Sequence, residues 1–283
     1  MSERIDFTKG HGTENDFVLL EDPEGLLALD AAAAVALADR RAGIGGDGVI
    51  RAVRTRSADI DAPVDAPEWF MDYRNADGSI AEMCGNGVRV LAAYLRRAGH
   101  VSEDRFALWT RAGARTVEIL EEPSTPGGDW SVRVGMGRST LTPAARSVLV
   151  DGHRLEAADV DMGNPHAVAF LPEGLGLGDL DLTRRPPAVD PAPAEGTNIE
   201  LVTPCGTRHV AMRVHERGVG ETRSCGTGVA AVGVAAALRA GDDSREPWTV
   251  DVPGGRLQVG WSADGEVLLT GPARLVAEGT TLV

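Results

Sequence analysis

A chain of 283 residues with 43% hydrophobic content can bury a large core, and its length favours two domains over one. The formal net charge of -14 argues against a nucleic-acid partner, because phosphate binding calls for clustered Lys and Arg. MSERIDFTKGHG carries no apolar run behind a basic patch, so it is not read as a secretory signal. The longest apolar runs, such as VAAVGVAAAL (229–238), reach about half of a membrane span, and the expectation is a soluble cytoplasmic protein without a membrane partner.

RIDFTKGHG (4–12) reads as a strand, followed by a glycine-containing turn and a second strand, DFVLLED (16–22). ALDAAAAVALADRRAG (28–43) reads as a helix, with Arg40 and Arg41 in its last turn and Gly43 as its stop. GIGGDG (43–48) has the letters of a dinucleotide fingerprint, but it follows a helix and precedes the strand-like VIRAVRT (49–55), the reverse of the order that fingerprint needs. APEWFMDYRN (66–75) would pair with VIRAVRT, with NADGS (75–79) as a turn. Val90, Leu91, Tyr94 and Leu95 share one helical face of VRVLAAYLRRAGH (88–100), and RFALWT, RTVEILEE and WSVRVGMG continue as strands.

EEPSTPGGD (121–129) is the candidate boundary, which gives a first domain over 1–127 and a second over 128–270. The second half places strands at DVDMGNPHAVAF, NIELVTP and RHVAMRVHER, a small-residue helix from Cys225 to about Ala240, and a hairpin at WTVDVPGGRLQVGW before EVLLTGPARL. RRPPAVDPAPAEG (184–196) reads as loop throughout because of its proline content. Each half runs strands, turn, Cys-Gly-x-Gly, helix, strands, which is an internal duplication.

The three cysteines, Cys84, Cys205 and Cys225, form no Cys-x-x-Cys pair, so free thiols in a reducing compartment are expected. The six histidines are scattered, with no His-x-x-x-His pair on a helix, and no metal site is expected. Lys9 is the sole lysine, with no phosphate-cradling loop leading to it, which argues against pyridoxal-phosphate chemistry.

MCGNGVR (83–89) returns as SCGTGVA (224–230), half a chain length later. A cysteine at a helix start meets unpaired N–H groups and the positive dipole end, which favour a thiolate, and glycines beside it leave backbone able to contact an anion. Two such sites, related by the duplication, could face each other across one cleft. One thiolate would take a proton from one face of a carbon and the other thiol would return one to the opposite face, with no cofactor. A single copy would read better as a buried small hydrophobe in a tight turn, and Cys205, between two strands, is read that way.

HGTENDF (11–17), NADGS (75–79), MCGNG (83–87), MGNPH (162–166), HERGVGET (215–222) and SCGTG (224–228) together resemble the diaminopimelate epimerase family, in order and spacing from Phe7 to about Gly271. The resemblance implies a cofactor-independent epimerase interconverting LL- and meso-diaminopimelate, in lysine and peptidoglycan-precursor synthesis. It implies an α+β fold of two pseudo-symmetric domains, each a mixed or antiparallel sheet wrapped around a central helix, with 271–283 returning to the first. It makes Cys84 and Cys225 the acid/base thiols. Gly85, Asn86, Gly226 and Thr227 would hold the carboxylate at the reacting centre, with Asn15 and Asn164 nearby. Asn75, Asn198 and Arg217 would grip the far amino-acid end, and His166 and Glu216 would tune the thiols or hold an ammonium. Each has an ordinary alternative: Asn75 as a turn residue, Glu216–Arg217 as a surface ion pair, His166 as a hydrogen-bonded structural histidine.

The chain departs from many relatives at Thr13-Glu14, where Leu-Gly is usual, and at Gly48, where a substrate-contacting glutamine is usual. Ala277 stands where some relatives place a tyrosine at a dimer contact, so a homodimer stays open. Two other readings also stay open: a proline or hydroxyproline racemase, which shares the two-thiol mechanism, and a binding protein whose cysteines act as a redox pair.

Overall fold

The computed structural model describes residues 4–282. It is mostly sheet, with seventeen strands and three α-helices among the described residues. β1 (Arg4–Gly12) and β2 (Asn15–Glu21) form a hairpin in which Gly12 pairs with Asn15. Thr13 and Glu14 are therefore the two central residues of the turn, and both take positive φ, 51° and 62°. A turn of this hand suits Gly or Asn, and a Cβ in the left-handed region costs roughly 1–2 kcal/mol. Glu14→Gly is expected to raise the thermal unfolding midpoint by about 1–3 °C, part of the relief being offset by the flexibility of glycine in the unfolded chain. A calorimetric midpoint that stays put or falls would remove strain from the account of this turn.

The helix expected over 28–43 forms only as α1 (Ala31–Ala38). Asp30 caps its start by accepting from Ala33 N–H. At its end Asp39 turns extended, and its carboxylate takes the N–H groups of Arg41 and Ala42. A short acid competing with backbone for N–H donors stops the helix well before Gly43. GIGGDG then folds back onto α1, with Ile44 and Gly45 N–H both reaching Leu37 O, and leads into β3 (Gly48–Arg54).

In the first half β3 lies parallel to β2 and antiparallel to β4 (Trp69–Asn75). α2 (Gly85–Arg97) crosses over to β5 (Arg105–Thr110), parallel to β4, as a parallel pair requires. β6 (Gly113–Glu121) and β7 (Trp130–Gly135) follow antiparallel. In the second half β8 (Thr140–Val150), β9 (His153–Asp161) and β10 (Pro165–Phe170) run antiparallel. The single strand expected over 159–170 is thus two, broken at 162–164, where Asp161 accepts from Gly163 N–H.

The proline-rich loop contains a short strand, β11 (Ala188–Asp190), paired with β8. Those three residues are the proline-free ones between Pro187 and Pro191, so their N–H groups can join a ladder. β12 (Asn198–Gly206) lies parallel to β10, and β13 (His209–Glu216) pairs with it and with the short β14 (Gly220–Thr222). α3 (Gly226–Ala240) crosses over to β15 (Trp248–Val252), parallel to β13, before β16 (Gly255–Trp261) and β17 (Val267–Leu282). β17 also pairs with β1 and with β7, which closes a ring of strands from β1 to β7 and back.

Two compact units result, one ending at Val134 and resuming at Gly271, the other Gly135–Thr270. The 121–129 loop thus joins β6 to β7 inside the first unit, and the division falls one strand later. From β1 to β7 the pairings run antiparallel, parallel, antiparallel, parallel, antiparallel, antiparallel. From β9 to β17, setting aside the short β11 and β14, they run in the same order, with the long helix again between the fourth and fifth strands.

Both long helices are buried: α2 over 85–95 and α3 over 226–237. α3 achieves this with small residues. A Cβ on Gly233 would lie 2.5 Å from the Val259 side chain, so Gly233→Ala is expected to cost about 1–3 kcal/mol of stability. The urea midpoint reads this directly, and an unchanged midpoint would mean that β16 yields freely.

Candidate active site

Cys84 and Cys225 are the N-cap residues of α2 and α3, both extended, at φ -142°, ψ 115° and φ -123°, ψ 115°. Their carbonyls accept the first helical N–H groups, from Val88 at 2.8 Å and Val229 at 2.9 Å. Cysteine is not among the favoured caps, so helix stability does not choose it here. The third residue beyond each is glycine, and a side chain there would have to displace the end of a neighbouring one. A Cβ on Gly87 would lie 2.6 Å from Met71 Cε, and one on Gly228 2.7 Å from Glu200 Oε1.

In the first unit Gly87 N–H donates to Cys84 Sγ at 3.5 Å. Cys84 Sγ is also 3.5 Å from Asn15 Oδ1, which accepts from Asn86 Nδ2 at 3.1 Å. Asn15 Nδ2 is anchored on Asp47 Oδ2 at 2.8 Å, so the Asn15 side chain is held from both ends. Beneath them lies Arg89, fully buried in the second turn of α2. Its guanidinium donates to Asn86 Oδ1, Thr13 Oγ1, Gly85 O and Pro272 O, and no carboxylate among the described residues pairs with it. Burial pulls Arg89 down to about 10, while negative charge on Cys84 works against that fall. It remains a cation at neutral pH, and the interaction is mutual, so the guanidinium favours the thiolate of Cys84.

Asn75 ends β4 opposite Gly48, with its Nδ2 on Ser79 Oγ at 3.0 Å. Gly48 has no room for a side chain on this backbone, since a Cβ would meet Arg74 O and Tyr73 Cε2 at 2.5 Å. Lys9 forms an ion pair with Asp16 at 2.6 Å. Burial works to raise the Asp16 carboxyl, but hydrogen bonds from Arg40 and Lys9 outweigh it and hold it at about 2.

In the second unit the surroundings are acidic. Burial, then the carboxylates of Glu216 and Glu200, push the Cys225 thiol well above its ordinary value. Burial also raises Glu216, against hydrogen bonds from Thr222 and Cys225 that lower it. Cys225 Sγ is 3.5 Å from Thr227 Oγ1, which accepts from Asn164 Nδ2 at 3.3 Å. Asn164 Oδ1 lies 3.1 Å from His166 Nε2, and His166 Nδ1 lies 2.7 Å from Glu200 Oε1. Asn198 and Arg217 meet each other instead: Arg217 N–H donates to Asn198 Oδ1 at 3.0 Å, and Asn198 Nδ2 reaches Pro165 O. The Arg217 guanidinium bonds to Glu195 O.

The sequence-predicted residues thus fall into two groups. Cys84, Gly85, Asn86 and Asn15 cluster in the first unit, with Asn75 at the end of β4. Cys225, Gly226, Thr227, Asn164, His166 and Glu216 cluster in the second, with Asn198 and Arg217 joined beside them. Cys205 is exposed, its Sγ near Thr203 O. Arg89, Thr222 and Glu200 were not singled out from the sequence. The signal for Arg89 and Glu200 was a charge inside an otherwise apolar run. A cavity of about 240 Å³ lined by Phe170, Arg239 and Trp248 holds none of these residues. Among the described residues no group of His, Cys, Asp and Glu has the arrangement of a metal site, and no helix is long and apolar enough to cross a membrane.

The family model of diaminopimelate epimerase matches residues 7–142 and 159–276. A diaminopimelate epimerase from Streptomyces coelicolor is 53% identical over 287 aligned residues, covering 99% of this chain and 96% of its own. One from Thermobifida fusca is 47% identical, covering 96% of each. Among solved structures, a phenazine biosynthesis protein of the PhzF family from Bacillus anthracis is similar with a TM-score of 0.71 at 15% identity, over 99% of this chain and 100% of its own. A hydroxyproline epimerase from Agrobacterium vitis gives 0.68 at 13% identity, over 99% and 92%. At such identities the likeness is one of fold, whereas the sequence matches are specific. The chain belongs to the diaminopimelate epimerase family.

Proposed function

We propose that this protein interconverts LL- and meso-diaminopimelate by proton transfer between two thiols, without a cofactor, in the cytoplasm. The observation that carries the mechanism is the recurrence of a cysteine N-cap, before the same glycine spacing, at the same place in two copies of one strand order. The two copies are taken as pseudo-symmetric halves of one enzyme. The thiolate of one half removes the α-proton; the thiol of the other delivers a proton to the opposite face. Charge developing on the substrate carboxylate is met by backbone at the two helix N-termini, around Gly85–Asn86 and Gly226–Thr227, where donors and dipole are already oriented. Asn75, Asn198 and Arg217 supply the polar groups for the distal amino-acid end. A proline-type substrate has no such second end, and at 13% identity the likeness to the hydroxyproline epimerase carries the fold and no argument about substrate.

Solvent deuterium incorporation followed by proton NMR, with reduced protein, tests this. Exchange at an α-carbon of LL-diaminopimelate and not of L-proline is the expected result. Exchange with proline alone would discard the substrate, and exchange with neither would discard the enzyme.

The charges around the thiols give a pH profile. In the direction that uses Cys84 as base, Cys225 must hold its proton, and its acidic, buried setting keeps that proton to higher pH than an ordinary thiol would. The alkaline limb of kcat/KM in one direction is expected at higher pH than an ordinary thiol would give, and Glu216→Gln, by removing a neighbouring negative charge, is expected to move it down. A wild-type limb at or below the pH of an ordinary thiol, or one that Glu216→Gln leaves in place, would contradict the assignment.

A further inference from the structure

The repeated strand order supplies an internal control. In β2 and β3, Phe17 stands opposite Gly48, and Ile50 follows two residues on. In β10 and β12, His166 stands opposite Asn198, and Glu200 follows two residues on. Phe17 and Ile50 lie beneath Gly87 of α2, as Glu200 lies beneath Gly228 of α3. One copy of the framework is filled by an aromatic and an aliphatic side chain, the other by an imidazole and a carboxylate. The fold therefore accepts an apolar filling here, and apolar fillings are commonly as stable as buried ion pairs or more so. Packing does not account for Glu200.

Glu200 and His166 have no side-chain exposure at all, at 0% each. Glu200 Oε1 engages His166 Nδ1 at 2.7 Å, and Glu200 Oε2 is buried with no hydrogen-bond partner among the described residues. A continuous polar chain then runs from His166 Nε2 through Asn164 and Thr227 to Cys225 Sγ. Both ring nitrogens of His166 face oxygen atoms. A doubly protonated ring beside an ionised Glu200 satisfies that arrangement, while a neutral ring would require the Asn164 amide to be reversed or the buried carboxyl itself to carry the proton. The other ionisable groups of this pocket are Glu216 from β13 and Cys225 at the start of α3.

We propose that Glu200 is a positioning residue of the Cys225 site: its carboxylate holds His166 through Nδ1 as the doubly protonated ring, and so fixes Asn164 and Thr227 against the thiol. The proposal rests on the two-thiol reading for its kinetic consequence, and on the side-chain chain alone for its geometry. Glu200→Gln keeps the shape and an acceptor but removes the charge. Glu200→Asp keeps the charge and shortens the reach.

The experiment uses full-length protein labelled with ¹⁵N-histidine, the His166 signals being assigned by their loss in His166→Gln. In the wild type at neutral pH the two ring nitrogens are expected to show the closely spaced shifts of an imidazolium. In Glu200→Gln they are expected to split into those of a neutral ring. In the same variant kcat is expected to fall by about tenfold or more with KM little changed, and Glu200→Asp to recover part of it. A neutral His166 ring in the wild type overturns the proposal, as does Glu200→Gln with His166 and kcat unaltered. Should Glu200→Gln fail to fold, the double variant His166→Phe with Glu200→Ile, which copies the filling of the first unit, decides. Folding with an unfolding midpoint at or above that of the wild type, together with lost activity, supports the proposal, and failure to fold overturns it. An imidazolium that responds to Glu200→Gln in a protein inert toward diaminopimelate would sink the epimerase reading and leave this one standing.

Discussion

Cys225→Ala and Cys84→Ala are each expected to remove stereochemical inversion of diaminopimelate while leaving the protein folded. Either thiol is a small side chain at a helix start; Cys84→Ala gives up one long capping bond from Gly87 N–H and Cys225→Ala none, while the first helical bonds come from the backbone carbonyls of the two cysteines. Losing one general acid or base lowers a rate by about 10²–10⁴-fold. Because inversion needs both thiols in one turnover, the double variant should be little worse than either single one. Solvent exchange separates the roles further. With one thiol gone, the other can still take a proton from its own face and return one there. Each single variant is therefore expected to wash deuterium into one stereoisomer with retention, and the two variants into opposite ones. A variant that keeps more than about a tenth of the inversion rate, or labels both isomers, would sink the two-thiol scheme. Cys205→Ala, at an exposed thiol away from both helix starts, should behave as wild type.

What the sequence disclosed, and what it withheld, follows from how each residue is used. The two helix starts were legible because Cys-Gly-x-Gly is a local statement, and both helices begin on the glycine after the cysteine. The strand order was not legible, since the parallel pairings of β2 with β3 and β10 with β12 depend on contacts far apart in sequence. β8 escaped because its register shifts between Thr142 and Arg146, which breaks the two-residue alternation that marks a strand. β11 escaped because two prolines conceal the three residues between them that can pair. α1 was drawn too long because alanine content outweighed the competing acid at Asp39. Arg89 and Glu200 escaped for a shared reason: in a one-dimensional pattern a charge within an apolar run reads as a side chain reaching solvent. Only packing shows that both are buried, one behind each thiol.

That contrast makes Arg89 the residue whose removal should matter most after the cysteines. It is a buried cation held by four neutral acceptors, and nearby Cys84 is the acid whose charge favours it. Position for position in the repeated motif, Arg89 corresponds to Ala230, so the second unit has no such cation at that place and Glu216 and Glu200 stand near its thiol instead. Opposite charges thus bias the two thiols in opposite directions, Cys84 toward thiolate and Cys225 toward thiol. Arg89→Met removes the cation and the hydrogen bonds its guanidinium gives to Asn86 Oδ1, Thr13 Oγ1, Gly85 O and Pro272 O. The bond on Asn86 Oδ1 is one of those that hold the amide orienting Asn15 beside Cys84, so that orientation is weakened too. Activity at neutral pH is expected to fall by about a hundredfold or more, and the pH midpoint of Cys84 alkylation, read by peptide mass, to rise while that of Cys225 stays in place. Arg89→Lys keeps the charge but not the fork of donors, so it should restore the alkylation midpoint better than it restores activity. If Arg89→Met leaves the Cys84 midpoint unchanged in a folded protein, the guanidinium only braces the helix start, and the bias on Cys84 must come from the helix N-terminus alone.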